Sequence, residues 1–495
     1  MELKRKQIER FEPISVREEI IELQNEMVVP DIYSDVMRIA ASHASVVIKD
    51  KNISSDRISL SGKCDINMIC ATETNPYGEV INTSIPLSHI LSVTGVNAES
   101  VAICDASVVE CSALLINSRK ISVKVKILLK NEAYNKRNLW LTTELGEKEN
   151  CYCLCKEYCD EYVAFVTEKQ LRIVENISLE SENVKPFEWS VKFISEDVKL
   201  IKDKVLIRGT CQLKVLFIDN STGELTREKY HFPFSSVIES DGIGDAEIGE
   251  VKYNCSFADV SANSTASGYT LNCDVTTNIC VMVKKQISEK IVADVFNSKY
   301  ELDAKWEKIG GTIVIGKETV KKELSVQFDN INNADKINDF TYTVVKRVSD
   351  KNVYVSFTFY VIYKDSEGEI YGVLCKYDTE YEMPNHFYNI SIDINNPSMQ
   401  CGENGSISME GEVVFEVDYG SSVEIEQLAA CDVLKDSLKT KKHGASLVLR
   451  KVGTGETVWD IAKRYNTSPD EIAQTNKIED GMNICGKLIM IPIIK

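Results

Sequence analysis

The sequence lacks the long apolar runs and the excess of basic residues that define two large classes of protein. Across 495 residues there is no apolar stretch of the roughly eighteen residues that a membrane-spanning helix needs. The chain carries 75 acidic against 57 basic residues, which gives a net charge of -18. Because phosphate groups are recognised by a basic face, we expect neither nucleic acid nor an anionic membrane surface as a partner.

Local catalytic motifs are also missing. The five histidines are scattered, and no G-x-S-x-G segment occurs. The segment GTIVIGKE has the spacing of a phosphate-binding loop, but Glu318 stands where that loop needs a hydroxyl, and its interior is typical of a strand. We therefore expect a protein that is not an enzyme and that holds no cofactor.

The cysteines indicate a reducing compartment. The N-terminal stretch MELKRKQIERFEPISVREEI has no apolar core of the kind found in an export signal, so we expect the sixteen cysteines to be free, buried thiols. Four of them are close enough in sequence to hold zinc: Cys151, Cys153, Cys155 and Cys159. The separated CxxC pairs of zinc ribbons are absent, so a cysteine-rich buried strand is favoured over a metal site.

Most of the chain has the pattern of antiparallel β-structure. Alternating, β-branched stretches such as ISVKVKILL (121–129) and NVYVSFTFYVIY (352–363) predict half-buried strands. A strand, a polar turn, Gly-Glu and a second strand recur with turn glycines at Gly78, Gly223 and Gly368, which are 145 residues apart each time. A glycine suits such a turn because it reaches positive φ without strain.

This repeat predicts a tandem organisation. We expect an N-terminal segment (1–27), three related β-domains (28–150, 151–285 and 286–420), a linker with a short helix (421–446) and a C-terminal module (447–495). The C-terminal module reads as strand, helix, helix, strand. Thr457 and Ser468 are the expected N-caps, and KLIMIPI is the expected closing strand.

The C-terminal module closely resembles the LysM domain. The matching segments are GETVWDIAKRY, SPDEIAQTN and GKLIMIP. LysM domains usually bind N-acetylglucosamine units of peptidoglycan or chitin, in a groove between the loop after the first strand and the loop before the last. The resemblance places these loops at Gly455, Glu456, Thr457 and Val458, and at Asn476, Lys477, Ile478, Glu479 and Asp480.

Trp459 is a further candidate for binding. It does not fall on the apolar helical face of Val458, Ile461 and Ala462. It could cover the edge of a small core, or it could anchor an interface, since tryptophan is enriched at interface centres.

The β-repeats resemble the SPOCS domains of endospore-forming bacteria, through their strand, GxC, strand, GE, strand pattern. Several such repeats before one LysM domain are similar to spore-coat morphogenetic proteins. That similarity implies a scaffold at the forespore surface, in the mother-cell cytoplasm, whose LysM domain binds a coat morphogenetic ATPase. The alternative is a peptidoglycan-binding protein of the spore cortex or cell wall.

Overall fold

The protein is a mainly β chain. The computed structural model describes residues 2–146, 149–180, 183–239, 247–265, 268–329, 331, 334–383, 387, 389–402, 405–439, 446–479 and 482–493. These residues form antiparallel sheets, and two short helices lie near the C-terminus. The predicted fold class, tandem antiparallel β-structure followed by a small α+β module, is confirmed.

The strands of the β-body run in chain order as follows: β1 (Leu3–Val28), β2 (Val36–Ser54), β3 (Arg57–Thr72), β4 (Glu79–Ser92), β5 (Val101–Asn117), β6 (Lys120–Leu145), β7 (Cys151–Leu179), β8 (Val184–Ile201), β9 (Lys204–Asp219), β10 (Leu225–Glu239), β11 (Glu247–Thr265), β12 (Gly268–Asn297), β13 (Tyr300–Phe328), β14 (Ala334–Ser349), β15 (Asn352–Asp365), β16 (Ile370–Glu382), β17 (Asn389–Cys401) and β18 (Ile407–Leu438). The C-terminal module adds β19 (Leu447–Lys451), α1 (Val458–Tyr465), α2 (Pro469–Asn476) and β20 (Leu488–Pro492).

The sequence repeat corresponds to three sheets of the same connectivity. Each is three-stranded: β2–β3–β4 (unit 1), β8–β9–β10 (unit 2) and β14–β15–β16 (unit 3). The turn glycines Gly78, Gly223 and Gly368 have φ of 114°, 69° and 83°. The predicted positive-φ role of these glycines is therefore confirmed, because an L-residue adopts such angles only at a cost.

Long strands pack against each of the three units. β11, β12, β7, β1, β6 and β5 form one six-stranded sheet, and β13, β18 and β17 form a three-stranded one. In unit 1, buried residues of β2–β4 pack against β5 and β6 in one apolar core. In unit 3, β15 packs against β17 and β18 in the same manner.

The three units also share an apolar core, here called the hub. Its buried members are Ala40, Ala41, Ile69 and Val80 of unit 1, Phe187, Leu216, Ile218 and Leu225 of unit 2, and Ile362 and Ile370 of unit 3. Hydrogen bonds cross the same junction. The Asn67 amide donates to the Phe187 carbonyl (2.8 Å), and the Ser42 N–H donates to the Tyr360 hydroxyl (2.7 Å). The units are therefore joined by packing as well as by the chain.

Several secondary-structure elements run across the boundaries expected from the sequence. β1 includes most of the expected N-terminal segment and pairs with β6 along its length. β12 continues through 285–286. Residues 421–438 of the expected linker lie in β18, which pairs with β13, and contain no helix. Residues 440–445 of that linker lie outside the described residues. These polar segments form strands because their polar and apolar residues alternate and because each pairs with a long strand. The pairing cannot be predicted locally, since the partner strand is far away in the sequence.

The cysteines are mostly, but not all, buried. None of the sixteen is in a disulfide. Cys153 and Cys155 are exposed on β7, so the expectation of a buried cysteine-rich strand was wrong there. The three side chains at 151, 153 and 155 share one face because strand side chains alternate. Among the described residues, no group of three or more histidine, cysteine, aspartate or glutamate side chains has the arrangement of a metal site.

Timed alkylation of the folded protein should separate these thiols. Cys485 and Cys155 are exposed and should be labelled first. Cys153 should follow more slowly, because burial and the neighbouring Cys155 raise its pKa to about 11, and only the thiolate reacts. Cys64 should be labelled only after unfolding, since burial raises its pKa to about 12. Mass spectrometry measures the order; rapid native labelling of Cys64 would contradict the buried core.

Candidate binding site of the C-terminal module

The C-terminal module folds as predicted. β19 and β20 pair in an antiparallel sheet, and the two helices lie between them in sequence. The Thr457 hydroxyl accepts the N–H of Asp460, and the Asp460 carboxylate accepts the N–H of Thr457 in return, which forms a capping box. The Ser468 hydroxyl accepts the N–H of Glu471 and starts α2. Local capping thus fixes where both helices begin.

Two loops meet at one end of the module. The N–H of Gly486 donates to the Val452 carbonyl (3.0 Å), and Cys485 Sγ lies 4.0 Å from Thr454 Oγ1. Gly455 and Gly486 have φ of 77° and 74°, so both loops turn through the left-handed region. The residues that border the first loop are therefore 485–487, which lie beyond the predicted stretch 476–480. Asp480 itself lies outside the described residues.

Glu456 is held by its own module. Its carboxylate accepts from Arg450 Nη2 (2.6 Å), Arg464 Nη1 (2.6 Å) and the N–H of Gly453 (3.1 Å). The hydrogen bond from Gly453 and the two guanidinium groups lower the pKa of Glu456. These hydrogen bonds fix the shape of the first loop. Both oxygens of the Glu456 carboxylate therefore already accept hydrogen bonds from the module itself.

Asn476 also has a structural role. Its Nδ2 donates to the carbonyls of Ile472 (2.8 Å) and Met490 (2.5 Å), and its Oδ1 accepts the N–H of Met490 (2.7 Å). The amide therefore ties the end of α2 to β20. Ile478 packs against the module core, whereas the Lys477 and Glu479 side chains are exposed.

Trp459 joins the module to the β-body. Its side chain is only 8% exposed and meets the ring of Phe296 edge to face, with centroids 5.0 Å apart. Its Nε1–H donates to Asp294 Oδ2 (2.8 Å), and Lys463 Nζ lies 2.7 Å from both Asp294 oxygens. Tyr152 packs against the same cluster. We call these residues the docking contact.

The docking contact shows what Trp459 packs against within this chain, while its role in binding a partner stays a prediction. The residue covers the edge of the module core, as one reading held, and it also anchors an interface, but that interface is with β12 of the same chain. Asp294 and Phe296 were missed by sequence reasoning. No local pattern marks them, because the contact joins residues 165 positions apart.

The module also exposes an apolar sheet face that sequence reasoning missed. Leu449 and Leu488 are 61% and 67% exposed, and Leu447 and Met490 are exposed beside them. Leu449 and Met490 are directly opposite each other on β19 and β20. We call these four residues the outer sheet face. The alternation in LVLRK and LIMIP was the available signal, since alternate residues of a strand share a face.

The near phosphate-binding segment GTIVIGKE differs in structure from the loop that its spacing resembles. It lies inside β13, a continuous strand paired with β18, so it is a strand, as its interior predicts, and not a loop. Within the described part of the chain, no helix combines the length and apolar character required to cross a membrane.

Comparison with known families defines the class of protein. The LysM domain model matches residues 451–484, and the model described as "SipL, SPOCS domain" matches residues 184–264, which include β8, β9 and β10 of unit 2. No curated protein and no solved structure matches the chain. Both matched domains are non-catalytic binding domains. The chain is thus a sporulation protein with a domain of the peptidoglycan-binding type.

The combination is more specific than either match. A SPOCS domain followed by a C-terminal LysM domain matches a SipL-like protein, as the sequence predicts.

Proposed function

We propose that the protein is a non-enzymatic scaffold of the forespore surface and spore coat, located in the mother-cell cytoplasm. Its LysM module binds a coat morphogenetic ATPase and so localises coat material around the forespore. The β-units supply a large, joined body, and the module supplies the binding surface. The observation that carries the proposal is the outer sheet face: four large apolar side chains are exposed together on one small domain.

The apolar character of the outer sheet face favours a protein partner over a glycan. Exposed apolar patches mark protein interfaces, where large side chains are desolvated together. A glycan needs polar groups that can donate to and accept from its hydroxyls. At the predicted groove, the side chains of Glu456 and Asn476 already make three hydrogen bonds each inside the module. Gly455, Thr457, Lys477 and Glu479 remain exposed there and form the candidate rim of the partner site.

The alternative function is peptidoglycan binding in the spore cortex or cell wall. It is supported by the match of residues 451–484 to the LysM domain. In that case the exposed loop residues would contact N-acetylglucosamine units, and the outer sheet face would be of no consequence for binding.

The test compares two substitutions on the full chain. Leu449→Glu places a charge on the outer sheet face, and we expect about a tenfold loss or more in retention of the ATPase from sporulating cells, which corresponds to about 1.4 kcal/mol. Gln474→Glu changes an exposed position of α2 outside both surfaces and serves as the matched control. Both variants should melt near the wild type, because neither side chain is buried.

The same samples are sedimented with purified peptidoglycan. Retention of the ATPase that is lost in Leu449→Glu but kept in Gln474→Glu supports the scaffold. Wild-type protein that pellets with peptidoglycan, loses this property in Lys477→Ala and retains no ATPase would establish the alternative instead.

A further inference from the structure

The three units border an open cleft of about 740 Å³, here called the central cavity. It is lined by residues 42–46 of β2, 188–192 of β8 and 339–343 of β14, one strand from each unit. Sites for small molecules are commonly clefts of roughly 300–1,000 Å³ formed where domains meet. The size and position of the central cavity are therefore those of a ligand site.

One wall of the central cavity is strongly basic. Lys192, Lys214, Arg227 and Lys229 all line it, and all belong to the sheet of unit 2. Lys214 and Lys229 are directly opposite each other on β9 and β10. Like charges in that position repel and destabilise a sheet. In a chain of net charge -18, such a cluster of basic residues is a local exception.

The carboxylates of the cavity do not neutralise this pair. Glu110 bonds to Lys126 and Lys376, which lie outside the cavity lining. Asp339 accepts from Arg227 Nε (2.8 Å).

Glu188 does not neutralise Lys214 and Lys229 either. It is 4% exposed, and burial raises its pKa to about 7. Among the described residues, no carboxylate lies within ion-pair distance of Lys214 or Lys229. Lys214 and Lys229 are exposed to the open cleft. Partial burial, and then the neighbouring cations, lower the pKa of Lys214.

The other two walls carry hydroxyl groups. Ser45 of unit 1, Ser107 of β5, and Thr341 and Thr358 of unit 3 also line the cavity. Hydroxyls can donate to anionic oxygens, and ammonium groups bind phosphate or carboxylate through charge-assisted hydrogen bonds. Ammonium groups and hydroxyl groups that line one cavity provide the chemistry of an anion site.

We propose that the central cavity binds a small, multiply charged anion whose phosphate or carboxylate groups lie between Lys214 and Lys229. The anion relieves the repulsion between these two side chains and contacts hydroxyls of the other two units. It therefore stabilises the junction of the three units. This site is separate from the LysM module and does not depend on its partner.

The test uses the full chain with two probes, pyrophosphate and citrate, in titration calorimetry and thermal melting at matched ionic strength. At least one probe should bind the wild type and raise its melting temperature, since a ligand of the folded state stabilises it by mass action. Pyrophosphate alone would identify a phosphate-bearing ligand, and citrate alone a carboxylate-bearing one. Lys214→Gln and Lys229→Gln should each weaken binding about tenfold or more, the effect of losing one charge-assisted hydrogen bond.

Two controls keep the outcome decisive. Lys185→Gln removes an exposed lysine of β8 outside the cavity and should bind the probes as the wild type does. Without any probe, Lys214→Gln should melt at or above the wild-type temperature, because it removes a like-charge contact; this shows that the variant is folded. The proposal is overturned if sodium chloride of equal ionic strength stabilises as well as the probes, or if Lys185→Gln loses as much affinity as the cavity variants.

Discussion

Trp459→Ala is expected to detach the C-terminal module from the β-body and to weaken the core of the module. The side chain is 8% exposed, packs on Phe296 and donates to Asp294. Truncating a buried tryptophan typically costs about 3–5 kcal/mol. Hydrogen exchange should therefore rise in peptides that cover residues 290–297 and 458–465, and the module should melt at a lower temperature. Unchanged exchange at 290–297 would contradict the docking contact.

Asp294→Ala is the matched variant on the other side of the contact. It removes the acceptor of the Trp459 N–H and the ion pair with Lys463, but it leaves every side chain of the module in place. It should detach the module without lowering the melting temperature of the module. Hydrogen exchange should then rise at 290–297 and at the Trp459 face of α1, while the rest of the module keeps its protection.

Asp294→Ala also decides which surface of the module meets the partner. If Trp459 anchors the ATPase, as its residue type suggests, freeing it from Asp294 should raise the affinity for the ATPase. If the outer sheet face is used, the affinity should stay the same, because Leu449 and Leu488 are exposed in both states. Either result is read from the same binding assay.

The second large effect is expected from Phe187→Ala in the hub. Phe187 is fully buried, belongs to unit 2 and packs in a cluster that contains Ile69 of unit 1 and Ile362 of unit 3. Loss of the ring should cost about 3–5 kcal/mol. Because the lost contacts lie between units, hydrogen exchange should rise in β3 and β15 as well as in β8. Thermal melting should broaden as the units unfold less cooperatively.

Phe234→Ala is the control for this prediction. Phe234 is buried in a cluster of unit 2 with Val205, Ile207 and Cys211, and it is not a member of the hub. Its loss should destabilise unit 2 to a similar degree while β3 and β15 keep their protection. If the two variants give the same pattern of exchange, the hub does not couple the units.

The sequence by itself determined the features that depend on neighbouring residues. Alternation along the chain identified antiparallel strands, and the equal spacing of Gly78, Gly223 and Gly368 identified three equivalent turns. Capping residues such as Thr457 located the helices of the module. These features are local, because strand period, helix capping and positive φ are set within a few residues.

Only the tertiary structure showed which side chains from distant segments meet. It placed Trp459 against Asp294 and occupied Glu456 with two arginines, although the sequence had assigned both residues to a binding site. It also opposed Lys214 and Lys229 across two strands and gathered three units around the hub. Such contacts join segments far apart in the chain. The energies of these contacts depend on burial and on partners that no local pattern specifies. A single sequence therefore reveals the secondary-structure elements but not the tertiary contacts of each side chain.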